Sequence, residues 1–199
     1  MPHNMACTIL ILAAGASSRM RGGDKLLEEV AGHPLLARQA RAALDTGCPV
    51  RVALPPDRPA RHAALDGLDV DVVTVADANT GMAASIRAGV AGLPGAVLLL
   101  LADLPEITRD DLERVLAAQP ADPDMILRGT AADGTPGHPV LFPPWAVPAL
   151  ARLTGDTGAR DLLKAEAART RLIALPDAHA TTDLDTPEDW AAWRARQGR

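Results

Sequence analysis

The sequence predicts a single α/β domain in which helices cover both faces of a mostly parallel sheet. Apolar runs of strand length alternate with helical segments along most of the chain, which is the pattern of parallel strands joined by helical crossovers. The most apolar run, residues 96–102, has no polar face and therefore requires cover on both sides. With 199 residues, of which 48% are hydrophobic and 23% charged, the chain has the length and composition of one globular domain.

The individual elements follow from apolar periodicity and turn residues. Strands are predicted at residues 8–12, 50–54, 70–75, 97–101, 125–128 and 171–175, with 97–101 in the centre of the sheet. Helices are predicted at about residues 34–44, 82–90, 108–118, 144–153, 158–168 and 187–196, with a short one after residue 59. Residues 138–142 contain Pro139, which has no N–H for a sheet ladder, so an edge strand or a bulge is predicted there.

Charge and composition exclude several classes of partner. The chain has 20 Lys and Arg against 25 Asp and Glu, a formal charge of −5 at pH 7, which argues against a generic nucleic-acid binder. Aromatic residues make up only 2%, too few for base-stacking platforms. No apolar run approaches the ~20 residues that cross a bilayer, and the N-terminus lacks the pattern of a signal peptide. We therefore expect a cytoplasmic protein with small-molecule substrates, and neither nucleic acid nor a membrane as partner.

A loop of small residues with two cations follows the first predicted strand. Residues 13–25 read AAGASSRMRGGDK, which matches neither the Walker A nor the Rossmann glycine pattern. Backbone N–H groups exposed by small residues can nonetheless wrap an anion, while Arg19 and Lys25 neutralise triphosphate charge. The loop is therefore a candidate phosphate site, and a flexible turn with solvated Arg19 and Lys25 is the equally weighted alternative.

Three aspartates are candidate metal ligands. Asp103 directly follows the predicted central strand, where a carboxylate can hold Mg²⁺ together with substrate phosphates or, alternatively, cap the turn before Pro105. Asp183 and Asp185 precede a helix start that residues 186–189 already explain through an N-cap, a first-turn proline and acidic side chains. Because capping does not need Asp183 or Asp185, both are candidate metal or substrate ligands.

Weaker candidates lie elsewhere along the chain. Gly81 and Ser85 begin a predicted helix and could face a nucleotide, although the same helix has an ordinary apolar face. His138 follows a polar, glycine-rich stretch, and a histidine in such a place is more often structural than catalytic. Neither position identifies a function by itself.

Eight short segments occur in the order of a known family's motifs. They read LAAGASSRM at residues 12–20, DKLL at 24–27, GHPLL at 32–36, GMAAS at 81–85, LADLP at 101–105, GHPVLF at 137–142, GDTGAR at 155–160 and DLDTPED at 183–189. The chain thereby resembles, over nearly its whole length, the nucleotidyltransferases that activate molybdenum cofactor. Each motif is weak alone, but their common order is a strong signal.

The resemblance implies a Rossmann-like, three-layer α/β/α domain over residues 1–199, with an NTP-binding part at about 6–105 and an acceptor-binding part at about 106–199. It implies that the terminal phosphate of molybdopterin attacks the α-phosphorus of the NTP and expels pyrophosphate. Such a transfer needs positioning and charge stabilisation rather than a protein nucleophile. A molybdoenzyme or its chaperone is the implied further partner.

The resemblance also implies roles for individual residues. Lys25 and Arg19 would contact the phosphates and, with Asp103, form the catalytic group, while Asp103 would hold Mg²⁺ with help from Asp183 or Asp185. The implied nucleotide-binding residues are Leu12, Ala13, Ala14, Gly15, Ser17, Ser18, Arg19, Lys25, Gly81 and Ser85. The implied acceptor-binding residues are His138, Asp156 and Arg160.

The identity of the nucleotide and of the acceptor stays open at this level. The segment Leu12-Ala-Ala-Gly15 looks like the cytidylyl branch, since the guanylyl branch generally carries Leu-Ala-Gly-Gly. One methyl group is worth only about 1–3 kcal/mol of discrimination, so CTP is expected while GTP and ATP remain alternatives. A sugar phosphate or polyol phosphate acceptor, or a non-catalytic factor that binds and inserts the cofactor, are the competing hypotheses.

Overall fold

The computed structural model describes residues 7–198, so residues 1–6 and 199 of the predicted domain lie outside the description. The strands within that range are β1 (Cys7–Leu12), β2 (Glu29–Val30), β3 (His33–Pro34), β4 (Val50–Leu54), β5 (Asp71–Thr74), β6 (Ala96–Leu101), β7 (Ile126–Thr130), β8 (Pro136–Phe142) and β9 (Thr170–Ala174). The helices are α1 (Leu35–Leu44), α2 (Pro59–Ala63), α3 (Met82–Val90), α4 (Arg109–Ala118), α5 (Val147–Leu150), α6 (Arg160–Ala165) and α7 (Pro187–Arg196).

A seven-stranded, mostly parallel sheet organises the molecule. Its strand order is β5-β4-β1-β6-β8-β7-β9, and β8 runs antiparallel to both of its neighbours. The remaining neighbours pair in parallel, so the carboxyl ends of β1, β4 and β6 meet at one edge. The predicted α/β fold with a mostly parallel sheet and β6 at its centre is confirmed. Strands β2 and β3 form a separate antiparallel ribbon.

The prediction of an edge strand or bulge at residues 138–142 was only partly right. Strand β8 lies inside the sheet between β6 and β7, so its assignment to the edge was wrong. Its pairing with β6 is confined to Val140, Leu141 and Phe142, beyond Pro139. On the other side the register with β7 shifts between Arg128 and Thr130. The missing N–H of Pro139 is therefore accommodated by an interrupted ladder in the interior.

Two predicted helices are shorter than the periodicity indicates. The segment predicted at 144–153 contains a 3₁₀ turn at Pro144–Ala146 followed by the four-residue α5. The segment predicted at 158–168 contains the six-residue α6 and a 3₁₀ turn at Ala167–Arg169. The other helices agree with the predictions, and α4 and α7 both begin with capping boxes. No helix among residues 7–198 is long and apolar enough to span a bilayer.

Alternate side chains of the central strands fill a core on each face of the sheet. Ile9 and Ile11 of β1 belong to one apolar cluster, whereas Leu10 and Leu12 belong to the other. Side chains at successive strand positions point to opposite faces, so covering both with helices gives three layers. The core is almost entirely aliphatic, as the low aromatic content requires.

A third, smaller cluster attaches α7 to the loops at the end of the chain's first strand. Trp190 and Trp193 pack edge to face with their ring centroids 5.8 Å apart. The cluster consists of Met20, Val30, Leu35, Leu184, Trp190 and Trp193. Because Leu184 is anchored here, the extended segment that carries Asp183 and Asp185 is held against the loop after β1.

Candidate active site

A cleft of about 390 Å³ opens beyond the carboxyl ends of β1 and β6. This is the edge where open parallel sheets bind ligands. Most of the predicted nucleotide-binding residues line it, namely Leu12, Ala13, Ala14, Gly15, Lys25, Gly81 and Ser85. Asp103 also faces the cleft, whereas Ser17, Ser18 and Arg19 are not among its lining residues.

Lys25 lies between two carboxylates at one end of the cleft. Its Nζ donates to Asp103 Oδ2 at 2.5 Å and to Asp185 Oδ1 at 2.6 Å. Burial opposes the positive charge, but the two carboxylates outweigh it and raise the pKa of Lys25. Arg19 Nη2 lies 2.7 Å from the second oxygen of Asp185. The fold thus brings together Arg19, Lys25, Asp103 and Asp185 as a charge-balanced group, which we call the lysine cluster.

Asp183 lies beside the lysine cluster without joining it. Burial raises the pKa of Asp183, and the charges of Asp185 and Asp103 raise it further. No side chain of the described residues forms a hydrogen bond or an ion pair with its carboxylate, whereas Asp185 contacts both Lys25 and Arg19. Asp103 and Asp185 are therefore joined through Lys25, and Asp183 is not.

The carboxylates of the lysine cluster suit a cation shared with a phosphate substrate. Asp103 Oδ1 is buried and has no hydrogen-bond partner within the described chain. Among residues 7–198 no group of three or more His, Cys, Asp and Glu side chains could hold a metal by itself. Mg²⁺ typically takes one or two carboxylates and completes its shell with water and phosphate oxygens. The pair Asp103 and Asp185 fits that mode of binding.

A buried arginine that the sequence did not single out holds the loop after β1. The Arg61 side chain is fully buried, and its Nε and Nη2 donate to the two oxygens of Asp24 at 2.7 and 3.0 Å. Its Nη1 donates to the carbonyl of Ala13 at 2.6 Å, and its Nη2 also donates to Ser17 Oγ at 3.0 Å. Asp24 in turn accepts from the backbone N–H of Leu26. Arg61 thus joins the cleft wall, the loop and the turn that carries Lys25.

Ser17 has a structural role in this network. It adopts a left-handed backbone with φ 51°, which is uncommon for a residue other than glycine. Its hydroxyl donates to Asp24 Oδ1 at 3.2 Å and accepts from Arg61. Burial opposes the charge of Asp24, but its contacts with Arg61 outweigh burial and lower its pKa. The sequence offered only one signal for this network, the position of Asp24 directly before Lys25. Its partner Arg61 lies 37 residues further along the chain.

A second cavity of about 200 Å³ shares Met82 and Leu101 with the cleft. Two of the three predicted acceptor-binding residues, His138 and Arg160, line it, together with Arg128, which sequence reasoning missed. We call this the arginine cavity. The third, Asp156, instead lines the cleft, so the predicted acceptor group is divided between the two.

Asp156 stands close to the start of α3. A side chain at Gly81 would bring its Cβ to 2.7 Å from Asp156 Cα, and Gly81 has φ +119°. Only glycine tolerates both the contact and that backbone conformation. The GDTGAR segment therefore packs directly against the helix start that borders the cleft.

His138 is a neutral histidine in the antiparallel strand β8. Burial lowers its pKa to about 4, the Leu99 backbone opposes that shift, and Arg128 adds to it. The imidazole is therefore uncharged near pH 7 and can exchange neutral hydrogen bonds. Its Nδ1 is buried and has no partner within the described chain.

Comparisons with known proteins identify the family of the chain. Residues 9–171 match the MobA-like NTP transferase domain. Bifunctional protein GlmU of Ruegeria pomeroyi is 36% identical over 135 residues, which are 65% of this chain and 30% of that protein. Molybdenum cofactor guanylyltransferase of Bradyrhizobium sp. (strain ORS 278) is 37% identical over 142 residues, 66% of this chain and 63% of that protein. This chain thus spans less than two thirds of the length of either relative.

A solved structure resembles the chain over nearly its full length. Rv0371c from Mycobacterium tuberculosis H37Rv matches with a TM-score of 0.81 and 29% identity, covering 94% of this chain and 96% of that one. The same protein in complex with manganese matches with a TM-score of 0.75 and 28% identity over 94% and 97% of the two chains. With the family match covering most of its sequence, the chain belongs to the MobA-like NTP transferase family.

Proposed function

We propose that this nucleotidyltransferase transfers CMP from CTP to the phosphate of molybdenum-loaded molybdopterin and releases pyrophosphate. The observation that carries the proposal is the lysine cluster at the end of a cleft lined by the loop after β1. That arrangement supplies charge where a triphosphate would react, and the arginine cavity next to it offers room for an acceptor. The order of the molybdenum-cofactor motifs and a relative named molybdenum cofactor guanylyltransferase support the choice of acceptor.

The NTP is assigned to the cleft. Small residues of the loop expose backbone N–H groups, and a Cβ at Gly15 would meet no atom within 4 Å, so the space beside it is open. Arg19 and Lys25 stand beside the predicted phosphate position and would stabilise charge as it moves from the α-phosphorus to the departing pyrophosphate. Ala14 lines the same cleft, and its methyl group is the basis for expecting CTP before GTP or ATP.

Asp103 and Asp185 are the proposed ligands of Mg²⁺, with Asp183 as a nearby carboxylate. The ion, when bound, would neutralise phosphate charge. Lys25 engages one oxygen of each carboxylate and leaves Asp103 Oδ1 without a partner, so Asp103 would hold the ion through that oxygen while Lys25 stays close to the phosphates. Arg61 and Asp24 hold the turn that carries Lys25 and so position its side chain.

The chemical step needs no protein nucleophile or base. An acceptor phosphate is largely ionised at neutral pH, because its second pKa is about 6. One of its oxygens attacks the α-phosphorus of CTP, the new P–O bond forms, and the bond to the β-phosphate oxygen breaks to release pyrophosphate. His138, Asp156 and Arg160 are the proposed acceptor contacts, which assigns acceptor binding mainly to residues after about 105. A molybdoenzyme or its chaperone as recipient of the product stays a prediction.

Pyrophosphate release tests the proposal directly. CTP, GTP and ATP are compared in parallel with Mg²⁺, with and without molybdenum-loaded molybdopterin. We expect release that depends on molybdopterin and is fastest with CTP. No pyrophosphate release with any NTP would overturn cytidylyl transfer to molybdopterin. A panel of sugar and polyol phosphates would then be tested as acceptors. Turnover of one of those, with none of molybdopterin, would transfer the assignment to that acceptor class.

A further inference from the structure

The arginine cavity contains two guanidinium groups that no acid neutralises. Arg128 donates to the backbone carbonyls of Gly137 and Pro136 at 3.1 and 3.3 Å. Neither Arg128 nor Arg160 has a carboxylate within 4 Å among residues 7–198, whereas Arg19 and Arg61 beside the cleft are each paired with an aspartate. The positive charge of this wall is therefore left for something outside the chain.

An anion bound between Arg128 and Arg160 would relieve the repulsion between their charges. Burial lowers the pKa of Arg128, and the charge of Arg160 lowers it further, so the two cations repel one another across the cavity. An arginine keeps its charge in proteins, so it cannot relieve the repulsion by losing a proton. Arg128 uses two N–H groups for backbone carbonyls and retains others in the planar fork that suits oxyanions.

The rest of the wall restricts what shape of ligand fits. Leu99, Val140 and Phe142 form an apolar floor. His138 adds an uncharged imidazole whose buried Nδ1 lacks a partner. The volume of about 200 Å³ accommodates a compact group rather than a second nucleotide. An anion with an apolar or planar body matches the floor, the neutral imidazole and the two cations together.

We infer that the arginine cavity binds a second anionic group of the acceptor, distinct from the phosphate that reacts beside Lys25. The inference rests on the proposed function, since it takes the cleft as the nucleotide site and the adjoining cavity as the acceptor site. It narrows the substrate class to phosphate esters that carry a further anionic centre. The metal-bearing end of molybdenum-loaded molybdopterin belongs to that class, whereas a sugar phosphate with a neutral ring does not.

Binding of inorganic sulfate tests the site without any turnover. The Nε–H signal of Arg128 is followed by nuclear magnetic resonance in ¹⁵N-labelled protein as sulfate is added. We expect a chemical-shift change that saturates as sulfate is added. The dissociation constant for sulfate should be at least about tenfold higher in Arg160→Gln, because that variant removes a charge-assisted contact. Arg152→Gln is the matched control, since Arg152 is an exposed arginine outside the cavity. Arg160 is itself exposed, so its replacement leaves the fold intact.

A linear, unsaturable response, or equal affinity in Arg160→Gln and Arg152→Gln, would overturn the anion site. Steady-state kinetics then test the acceptor assignment. Arg128→Gln and Arg160→Gln should each raise KM for molybdenum-loaded molybdopterin by about tenfold or more and leave KM for CTP unchanged. An unchanged acceptor KM in both variants would contradict the inference. If the wild-type protein turns over no acceptor, the proposed function fails, and the sulfate titration still decides the anion site.

Discussion

The lysine cluster and the arginine cavity lie side by side but hold their charges in opposite ways. In the lysine cluster, Lys25 and Arg19 are matched by Asp103 and Asp185 at 2.5–2.7 Å, so the group is neutral overall without substrate. In the arginine cavity, Arg128 and Arg160 have no acidic partner among the described residues. In the proposed function, ligand binding would rearrange existing ion pairs in the lysine cluster, whereas the arginine cavity would only have to receive an anion.

The difference indicates which substrates each region governs. Breaking existing ion pairs has a cost that a strongly charged ligand can offset, such as a nucleoside triphosphate with its metal. A site with unmatched cations is already arranged for an anion and gains by binding one. Substitutions should therefore impair the rate in the lysine cluster and the acceptor affinity in the arginine cavity.

The largest expected effect is that of Asp103→Ala. It removes a proposed metal ligand and one partner of Lys25 while changing little packing, so turnover should fall by about 10³-fold or more with the fold intact. Pyrophosphate release measures turnover, and far-ultraviolet circular dichroism measures whether the fold is retained. Asp183→Asn is the matched control and should lose much less activity. Activity unchanged in Asp103→Ala would reject the assignment of this carboxylate.

Lys25→Met should lower kcat by about 10²–10³-fold, because a positive charge near the developing pyrophosphate is lost. The positive charge of Lys25 beside Asp103 and Asp185 opposes a cation at the same carboxylates, so the variant should bind Mn²⁺ at least as tightly as the wild type. Electron paramagnetic resonance of free Mn²⁺ measures that affinity. Weaker Mn²⁺ binding in Lys25→Met would contradict the competition between lysine and metal.

Arg61→Met should destabilise the protein by about 3 kcal/mol, because it leaves the carboxylate of Asp24 without its charged partner. Urea denaturation at pH 7 measures the loss, and Arg41→Gln, at an exposed position of α1, should stay within about 0.5 kcal/mol. Asp24 has a lowered pKa, so its stabilising contribution is present above its usual pKa of 3.8 and disappears as pH falls through the folded value. If the difference in free energy of unfolding between Arg61→Met and wild type did not become smaller in acid, Asp24 would not be the source of the stabilisation.

The smallest effect concerns His138. Its pKa falls from 6.5 to about 4 on folding, so the unfolded chain takes up a proton first as pH decreases. The stabilising contribution of the neutral ring is full above pH 6.5 and is lost as pH falls towards 4, by up to about 1.4 kcal/mol per pH unit. His138→Gln should therefore reduce the acid sensitivity of the free energy of unfolding between pH 7 and 5. Equal slopes for variant and wild type would mean that the ring titrates normally.

Much of the fold and the centre of the site follow from local sequence pattern. Asp103 was found because it directly follows the most apolar run, and Asp185 because helix capping left it without a role. Both inferences use neighbours in the sequence. Arg61 and Arg128 were missed because their contacts, with Asp24 and with Gly137, arise only when distant segments meet.

The failures have the same physical origin. Pro139 predicted an edge because a proline breaks a regular ladder, but only the register of β7 against β8 shows where that break is tolerated. Asp156 was grouped with Arg160 because both lie in one motif of six residues. The turn between them directs Asp156 to the cleft and Arg160 to the arginine cavity.

The packing of α7 also sets the time at which the centre becomes complete during synthesis. Leu184, next to Asp185, is buried with Trp190 and Trp193 against Met20 from the first loop. A growing chain on the ribosome has made Lys25 and Asp103 long before it makes Asp185. The proposed site therefore lacks one carboxylate until the segment that carries Asp185 has been made and the two tryptophans have docked.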